Sequence, residues 1–386
     1  MTNTTILSKG TTKETAQTVI LPPLSTQKRL EKAGIDISNG YPYIPEKIPQ
    51  FVQDVYDLRS NLREYVDPAT RADPEKKALF GAATKVHHLG SHVGTELVGV
   101  QLSKLSNQQR DELALLVAER AVVFLRDQDI SPQEQKELGI YLGDGEIEIH
   151  PQSPQVPGVG GGVSIIWPEG EGKAGLSRVN RDYRFPYGKT VRSKFGWHTD
   201  LVHEAFPPGY THLHLDAIPD IGGDTLWASG AAAYDKLSPK FRSLIDGLNG
   251  IYRSAHAYKD KQDPEGLLKH VERIHPLVRT HPATGWKTLF ANRAFLIGIE
   301  GLDPDESDAI LGHIFSIYER STDIQVRFPW TPGTSVIWDN RSTIHTVAIN
   351  WEGQNNRHGT RVASLAERPF FDPKSKSRRE ALGLEE

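Results

Sequence analysis

The chain has 386 residues, a formal net charge of -4 and 37% hydrophobic residues, which suffices for one large domain with an extension or for two small ones. Its 45 basic and 49 acidic residues nearly balance, so neither nucleic acid nor an anionic membrane surface is an expected partner. The absence of cysteine excludes disulfides, thiolate metal sites, iron–sulfur clusters and cysteine nucleophiles, so any bound metal must rely on His, Asp or Glu.

Residues 1–85 alternate polar, proline-bearing and charged segments without sustained apolar periodicity. This pattern predicts an extension packed on or around a domain rather than a domain of its own. The first twenty residues lack the continuous apolar segment of a secretory signal, and no run approaches the roughly 20 apolar residues that a bilayer requires. We therefore expect a cytoplasmic protein.

The first regular patterns follow from residue 95. The run TELVGVQL alternates as a strand does, and Ser106 with Gln109 forms a capping box before an apolar helical pattern. AVVFLRD predicts a buried strand, and Ser131 followed by Pro132 and Glu134 predicts the start of a second helix. The domain thus begins as a strand, helix, strand, helix unit.

A long segment rich in glycine, proline and charge separates His150 from His198, with one predicted strand at VSIIW. A loop of this length within a compact domain is usually functional or mobile. Beyond it, YTHLHLDAI and TSVIWDN are strand-like, and Asp303 with Pro304 and Glu306 begins another capped helix. Strands therefore dominate from about residue 160 onward.

The stretch FGWHTDLVHE places His198 and Asp200 two residues apart. On a strand such residues face the same way, so a nitrogen and an oxygen can point to one place. The pair alone fits a metal site, an acid/base couple or a polar strand end. His345, 147 residues later, follows an apolar strand and completes two imidazoles and one carboxylate, the ligand set of non-haem Fe(II) oxygenases.

Arginines and further histidines accompany this set. Arg357 and Arg361 lie shortly after His345, and two permanently charged guanidinium groups near a metal suggest two anionic ligands, although most arginines are solvated surface charges. His212 and His214 in THLHLD repeat the spacing of two and compete as ligands. We favour a structural role for them, because no carboxylate or arginine pair of the right kind follows.

Several blocks together resemble the taurine dioxygenase family of Fe(II)/2-oxoglutarate-dependent dioxygenases. They are FGWHTDLVHEAFPPGYTHLHLDAIPDIGGDTLWASG, HPLVRTHPATG, LFANRAF, VIWDNRSTIH and RVASLAERPF, in the family's order. DPATRADPEKKALF and INWEGQNNRHGTR are similar to segments of the fungal sulfonate dioxygenase-like members. The resemblance spans roughly Glu96 to Phe371. It implies a mainly β fold with flanking helices (α+β) around a double-stranded β-helix, the jelly-roll or cupin-like core. We expect an N-terminal extension at 1–85, the dioxygenase domain at 86–372 and a tail at 373–386.

The resemblance also implies site residues, one position at a time. The iron ligands would be His198, Asp200 and His345. The contacts to the distal carboxylate of 2-oxoglutarate would be Thr225 and Arg357. The substrate contacts would be His150, Leu201, Phe295, Arg361 and Lys194. Within the last group, Arg361 and His150 would share the substrate's anionic group. Lys194 replaces a neutral amide, and the loop before it is longer than in the bacterial enzymes.

As the resemblance implies, Fe(II), 2-oxoglutarate and dioxygen would support hydroxylation of a small anionic substrate, with 2-oxoglutarate decarboxylated to succinate. A sulfonate such as taurine would then release sulfite. One alternative is the same chemistry on an amino acid or other carboxylate, giving hydroxylation, desaturation or ring closure. A second is a non-enzymatic metal-binding jelly-roll protein. Assembly into a homo-oligomer stays open.

Overall fold

The computed structural model describes residues 21–43, 49–57, 64–148, 153–167, 196–348, 350 and 357–384. Its helices are α1 Leu24–Lys32, α2 Val52–Asp57, α3 Lys77–Ala82, α4 Asn107–Arg120, α5 Pro132–Leu142, α6 Gly230–Asp235, α7 Pro239–Ile245, α8 Pro304–Arg320 and α9 Arg378–Ala381. Its strands are β1 Lys85–His88, β2 Thr95–Val98, β3 Val122–Leu125, β4 Ser164–Ile166, β5 Pro208–Ala217, β6 Thr225–Ser229, β7 Asn249–Tyr258, β8 Lys269–Pro276, β9 Val278–Thr280, β10 Lys287–Leu289, β11 Leu296–Ile299, β12 Gln325–Phe328, β13 Thr334–Asp339, β14 Thr343–Val347 and β15 His358–Leu365.

Two sheets form the core. The larger has the order β1-β2-β3-β13-β5-β15-β4, and a three-stranded sheet has the order β12-β6-β14. The successive strands β12, β13, β14 and β15 alternate between these two sheets, and β5 and β6 do the same. This alternation is the jelly-roll arrangement that the sequence predicts, so the fold class is confirmed. A second three-stranded sheet, β11-β7-β8, and the pair β10-β9 complete the described strands.

Aromatic side chains fill the space between the two core sheets. Phe124 of the larger sheet stacks on Phe328 of the smaller at 3.9 Å between ring centroids, and Trp227 and Trp338 pack in the same cluster. The opposite face of β3 and β13 packs against α4 and α5 through a separate apolar cluster. Both faces of the central strands are therefore buried, which explains why AVVFL and SVIW are continuous apolar runs.

The predicted helix starts are confirmed at α4 and α5. Ser106 and Gln109 form a reciprocal capping box before α4, and Ser131 and Glu134 do so before α5. The third predicted cap, at Asp303, precedes α8. In the described part of the chain, no helix has the length and apolar character needed to cross a bilayer.

The N-terminal segment contains short helices that the sequence pattern did not predict. Leu30 of α1 packs in an apolar cluster with Val163, Ile165 and Val362, so this helix lies against β4 and β15 of the larger sheet. The first strand of that sheet begins at Lys85. The division into an extension, a catalytic domain and a tail stays a prediction.

Candidate active site

The two histidines of the predicted triad are joined through their backbones. His345 lies on β14, and His198 pairs with it as an isolated antiparallel bridge. The amide of each donates to the carbonyl of the other, at 2.9 Å from His198 and 2.8 Å from His345. Because this pairing puts both side chains on one face, the two rings lie 4.2 Å apart between centroids.

Asp200 completes the group. Its Oδ1 lies 3.8 Å from His198 Nε2 and 3.9 Å from His345 Nε2, and one ligand atom of each residue falls within 4.8 Å of the others. His198 Nδ1 donates to the Gly196 carbonyl at 3.0 Å, which fixes the tautomer and leaves the Nε2 lone pair facing Asp200. Two imidazoles and one carboxylate on one side fit Fe(II) and leave further coordination positions open.

Burial and charge keep His345 and Asp200 in the protonation states that a metal requires. Burial, followed by the neighbouring His198, lowers the pKa of His345 to about 3, so this ring is neutral near pH 7. Burial acts to raise the pKa of Asp200, but Arg361 and the two histidines hold it below its ordinary value. The carboxylate is therefore ionised.

Three residues that the sequence did not single out orient Asp200. Thr211 on β5 donates its hydroxyl to Asp200 Oδ2 at 3.2 Å. Asn340 accepts the Asp200 amide proton at 3.3 Å and donates to the Thr211 hydroxyl at 2.7 Å, and Trp338 Nε1 donates to Asn340 at 3.0 Å. Asn340 directly follows the strand ending in WD. A polar amide at that point is the feature of the sequence from which its role could have been predicted.

Arg361 extends from β15 toward the triad. Its Nη1 lies 3.2 Å from Asp200 Oδ1, the oxygen that also faces both histidines. The side chain is 20% exposed, so the guanidinium borders the site while part of it faces outward. A permanent cation beside the metal ligands can hold an anionic group next to the metal.

Leu201 and Phe295 also border the triad. Leu201 has φ +48°, in the left-handed region that non-glycine residues seldom adopt, and so turns the chain directly after Asp200. The Phe295 ring meets His198 edge-on at 6.4 Å between centroids, and it lies 5.7 Å from the ring of His203. Phe295 is also part of the apolar cluster around α8, so it carries both a core and a site contact.

Thr225 and Arg357 lie at strand ends of the two core sheets. Thr225 pairs with Val347, two residues after His345, which makes it a diagonal neighbour of His345 at about 7 Å between Cβ atoms. Its hydroxyl accepts from Trp330 Nε1 at 3.1 Å. Arg357 directly precedes β15 and is 4% exposed; burial lowers its pKa to about 10, so it stays charged near neutral pH.

The remaining predicted positions separate into two groups. His150 and Lys194 lie outside the described residues. His212 and His214 are buried on β5 and share the Ser335 hydroxyl at 2.9 Å each, and His214 Nε2 also lies 3.3 Å from Asp216. These contacts lie within the larger sheet and agree with a structural role.

The chain is similar to known proteins over most of its length. The model of the "Taurine catabolism dioxygenase TauD, TfdA family" matches residues 85–363. An "Alpha-ketoglutarate-dependent sulfonate dioxygenase" of Saccharomyces cerevisiae is 37% identical over 324 residues, covering 81% of this chain and 75% of the yeast protein. The "Alpha-ketoglutarate-dependent dioxygenase cnsP" of Penicillium expansum is 34% identical over 363 residues, covering 92% of each chain.

Solved structures agree as well. A taurine dioxygenase from Burkholderia xenovorans superimposes with a TM-score of 0.61 at 29% sequence identity, covering 75% of this chain and 93% of that one. The matched family region contains the triad, Thr225, Arg357 and Arg361, whereas α1 and α2 precede it.

Proposed function

This chain belongs to the taurine catabolism dioxygenase TauD, TfdA family, and we propose that it hydroxylates a small sulfonate and releases sulfite. It is an Fe(II)- and 2-oxoglutarate-dependent dioxygenase, and 2-oxoglutarate is the alpha-ketoglutarate of its relatives' names. The observation that carries the substrate proposal is the placement of the Arg361 guanidinium 3.2 Å from the triad's Asp200. The yeast sulfonate dioxygenase, 37% identical, supports the same class of substrate.

We assign the metal to His198, Asp200 and His345, whose ligand atoms lie within 4.8 Å of one another. Fe(II), when bound, supplies dioxygen activation and the oxidising power, and the chain's own residues supply placement. Thr211 holds the Asp200 carboxylate in the orientation that the triad needs, and Asn340 holds the Asp200 backbone amide. The carbonyl of Gly196 does the same for His198.

The two arginines divide the anions between them. Arg357 and Thr225 bind the distal carboxylate of 2-oxoglutarate, because both match the family's positions for that contact and a guanidinium binds a carboxylate with paired hydrogen bonds. Arg361, with His150, binds the substrate's anionic group, while the Leu201 amide and the Phe295 ring border the same space and Lys194 adds a second cation. Fixing the anion fixes which C–H bond faces the metal, and this placement tolerates little slack.

The net reaction balances without a further reactant. Dioxygen gives one oxygen atom to succinate and the other to the substrate carbon, and 2-oxoglutarate loses carbon dioxide. Hydroxylation of the carbon that bears sulfur yields a hydroxysulfonate, which collapses to an aldehyde and sulfite. A carboxylate substrate is the second candidate, because a guanidinium grips carboxylates and sulfonates in the same way.

A substrate panel tests this proposal. Sulfonates, sulfate esters and amino acids are incubated with the enzyme, Fe(II) and 2-oxoglutarate, and succinate and sulfite are measured. We expect succinate with sulfite from an alkyl sulfonate such as taurine. Succinate with a hydroxylated amino acid and no sulfite would favour the carboxylate alternative, and no oxygen-dependent succinate from any compound would contradict the enzyme assignment.

The wider setting is part of the same proposal. The partner is a small anionic molecule, and the near balance of 45 basic and 49 acidic residues supports neither a nucleic-acid nor a membrane partner. We place the enzyme in the cytoplasm, as a monomer or a homo-oligomer. Sedimentation at several concentrations distinguishes these two states.

A further inference from the structure

A buried polar network joins the N-terminal segment to the start of β15. His358, the first residue of that strand, has no exposed surface. Its Nε2 lies 2.8 Å from the Tyr41 hydroxyl, and its Nδ1 lies 3.1 Å from the Thr26 hydroxyl. Tyr41 and Thr26 both lie before residue 85, where the match to the family begins. Both ring nitrogens of a core-strand histidine are thus held by residues from outside that match.

The carboxylate of Asp216 fixes how this histidine is protonated. Asp216 Oδ2 lies 3.4 Å from His358 Nδ1, and an ionised carboxylate can only accept a hydrogen bond. The proton therefore sits on Nδ1, and Nε2 accepts from the Tyr41 hydroxyl. Burial lowers the pKa of His358 despite the nearby carboxylate, so the ring is neutral and has one donor and one acceptor position.

Arg29 of α1 contacts the same strand two residues further on. Its Nη1 donates to the Thr360 hydroxyl at 2.8 Å and lies 3.4 Å from Asp216. Its Nη2 donates to Gln135 at 3.2 Å, and the Thr360 hydroxyl donates to the same Gln135 oxygen at 2.6 Å. The N-terminal segment therefore contacts His358 and Thr360, two residues apart on one face of β15, here called its outward face.

The two anion-binding candidates, Arg357 and Arg361, flank these positions along the chain. Successive residues alternate between faces along a strand, so Gly359 and Arg361 lie on the face opposite Thr360. Arg357 directly precedes His358, beyond a register shift between His358 and Gly359, so its position depends on how His358 is held. Arg361 indeed contacts Asp200. Gly359 allows the close approach of β15 to β5, because a Cβ atom there would lie 2.4 Å from the His214 carbonyl oxygen. A shift of β15 would displace both arginines together.

We propose that Thr26, Arg29 and Tyr41, here called the N-terminal clamp, position Arg357 for 2-oxoglutarate by holding the outward face of β15. They are positioning residues, since their hydrogen bonds reach His358 and Thr360 and, among the described residues, none of the site side chains. The inference rests on the proposed role of Arg357 as the cosubstrate contact. It gives the N-terminal segment a part in cosubstrate binding in addition to covering the sheet.

The double variant Thr26→Val/Tyr41→Phe tests the clamp, because it removes both hydroxyls that hold His358 and leaves the packed shapes nearly unchanged. We expect the Kd for 2-oxoglutarate, measured by anaerobic titration of the Fe(II)-loaded protein, to rise about tenfold. The turnover number at saturating 2-oxoglutarate should stay within about twofold. Amide hydrogen exchange at residues 358–361 should accelerate in the protein without metal or cosubstrate.

Two controls separate positioning from general loosening. Thr26→Ser keeps the hydroxyl, and Tyr318→Phe removes a buried tyrosine hydroxyl that donates to the Leu289 carbonyl at 2.7 Å in the other part of the core. Both should leave the Kd within about twofold. A rise in Kd for Tyr318→Phe equal to that of the double variant, at equal loss of melting temperature, would overturn the inference.

Arg357→Ala distinguishes failure of the clamp from failure of the cosubstrate assignment. If Arg357→Ala weakens 2-oxoglutarate binding and the double variant does not, the clamp inference is wrong and the proposed function stands. If Arg357→Ala itself binds 2-oxoglutarate normally, the assignment of Arg357 is wrong, and the clamp inference falls with it.

Discussion

Replacing Thr211 by valine should weaken metal binding without changing any metal ligand. Valine keeps the shape of threonine but lacks the hydroxyl, which donates to Asp200 Oδ2 at 3.2 Å and accepts from Asn340 at 2.7 Å. Asn340 keeps its second acceptor, the Gly209 carbonyl at 3.2 Å, so the main loss falls on the carboxylate. Asp200 is 5% exposed, and water is a poor replacement there.

The expected magnitude follows from that geometry. Losing one partner of a buried charged group costs about 1–3 kcal/mol, and residues that orient metal ligands typically contribute about tenfold to hundredfold in metal affinity. We therefore expect Fe(II) to bind about tenfold to hundredfold more weakly, and the metal-free protein to lose about 1–2 kcal/mol of unfolding free energy. Anaerobic metal titration measures the first quantity and urea denaturation the second.

Thr334→Val is the matched control. Thr334 is a fully buried threonine on β13 of the same sheet, and its hydroxyl interacts with Thr331 at 2.9 Å. It lies five residues, or about 17 Å, from Asp339, the end of that strand next to Asn340. It should lose comparable stability and bind Fe(II) normally. Equal Fe(II) affinity in Thr211→Val, Thr334→Val and the unmodified protein would refute the reasoning about Asp200.

Three other outcomes are expected. His345→Ala should lose bound iron in an anaerobic metal assay while His212→Ala keeps it, since only His345 belongs to the triad; the reverse pattern would move the site. Gly359→Ala should lower the melting temperature and reduce kcat/KM more than about tenfold, because the new Cβ would lie 2.4 Å from a backbone oxygen. An unchanged melting temperature and kcat/KM would show that β15 can shift freely. Burial, with a smaller effect of Arg279, lowers the pKa of His275 to about 3, so the unfolded chain takes up this proton below about pH 6.5 and the folded protein does not. His275 should therefore lower the free energy of unfolding by up to about 1.4 kcal/mol per pH unit on acidification between pH 6 and 4. In His275→Gln, urea denaturation should show a dependence of unfolding free energy on pH that lacks this contribution; an unchanged dependence would contradict a buried neutral ring.

The sequence predicted the features that depend on local pattern. The capping boxes at Ser106 and Ser131 are set by residues three apart, and the strand TSVIWDN by its continuous apolar run. The spacing of His198 and Asp200 works in the same way, because residues two apart on an extended chain face the same side. His345 could be added because it follows a strand, and the resemblance to a family connected the distant blocks.

The features that the sequence missed depend on contacts between distant segments. Asn340 reaches Thr211 and Asp200 because β13 pairs with β5, and nothing near Thr211 in the chain indicates this pairing. Helix α1 was missed for a local reason as well. It has nine residues, its N-cap is Pro23 without a side-chain hydrogen bond, and only Thr26 and Leu30 are buried. Its position depends on polar groups of β5 and β15 that Arg29 and Thr26 contact.

The backbone pairing of His198 with His345 links the metal centre to the order of folding. The two residues are 147 apart in the chain, and their mutual hydrogen bonds close a loop of that length. Contacts of such sequence separation form late, because closing the loop costs conformational entropy before the contact contributes any stability. An incompletely folded chain offers His198 and Asp200 together but not His345. Iron loading is therefore expected to follow strand assembly, and a full-affinity metal site marks a chain that has completed its topology.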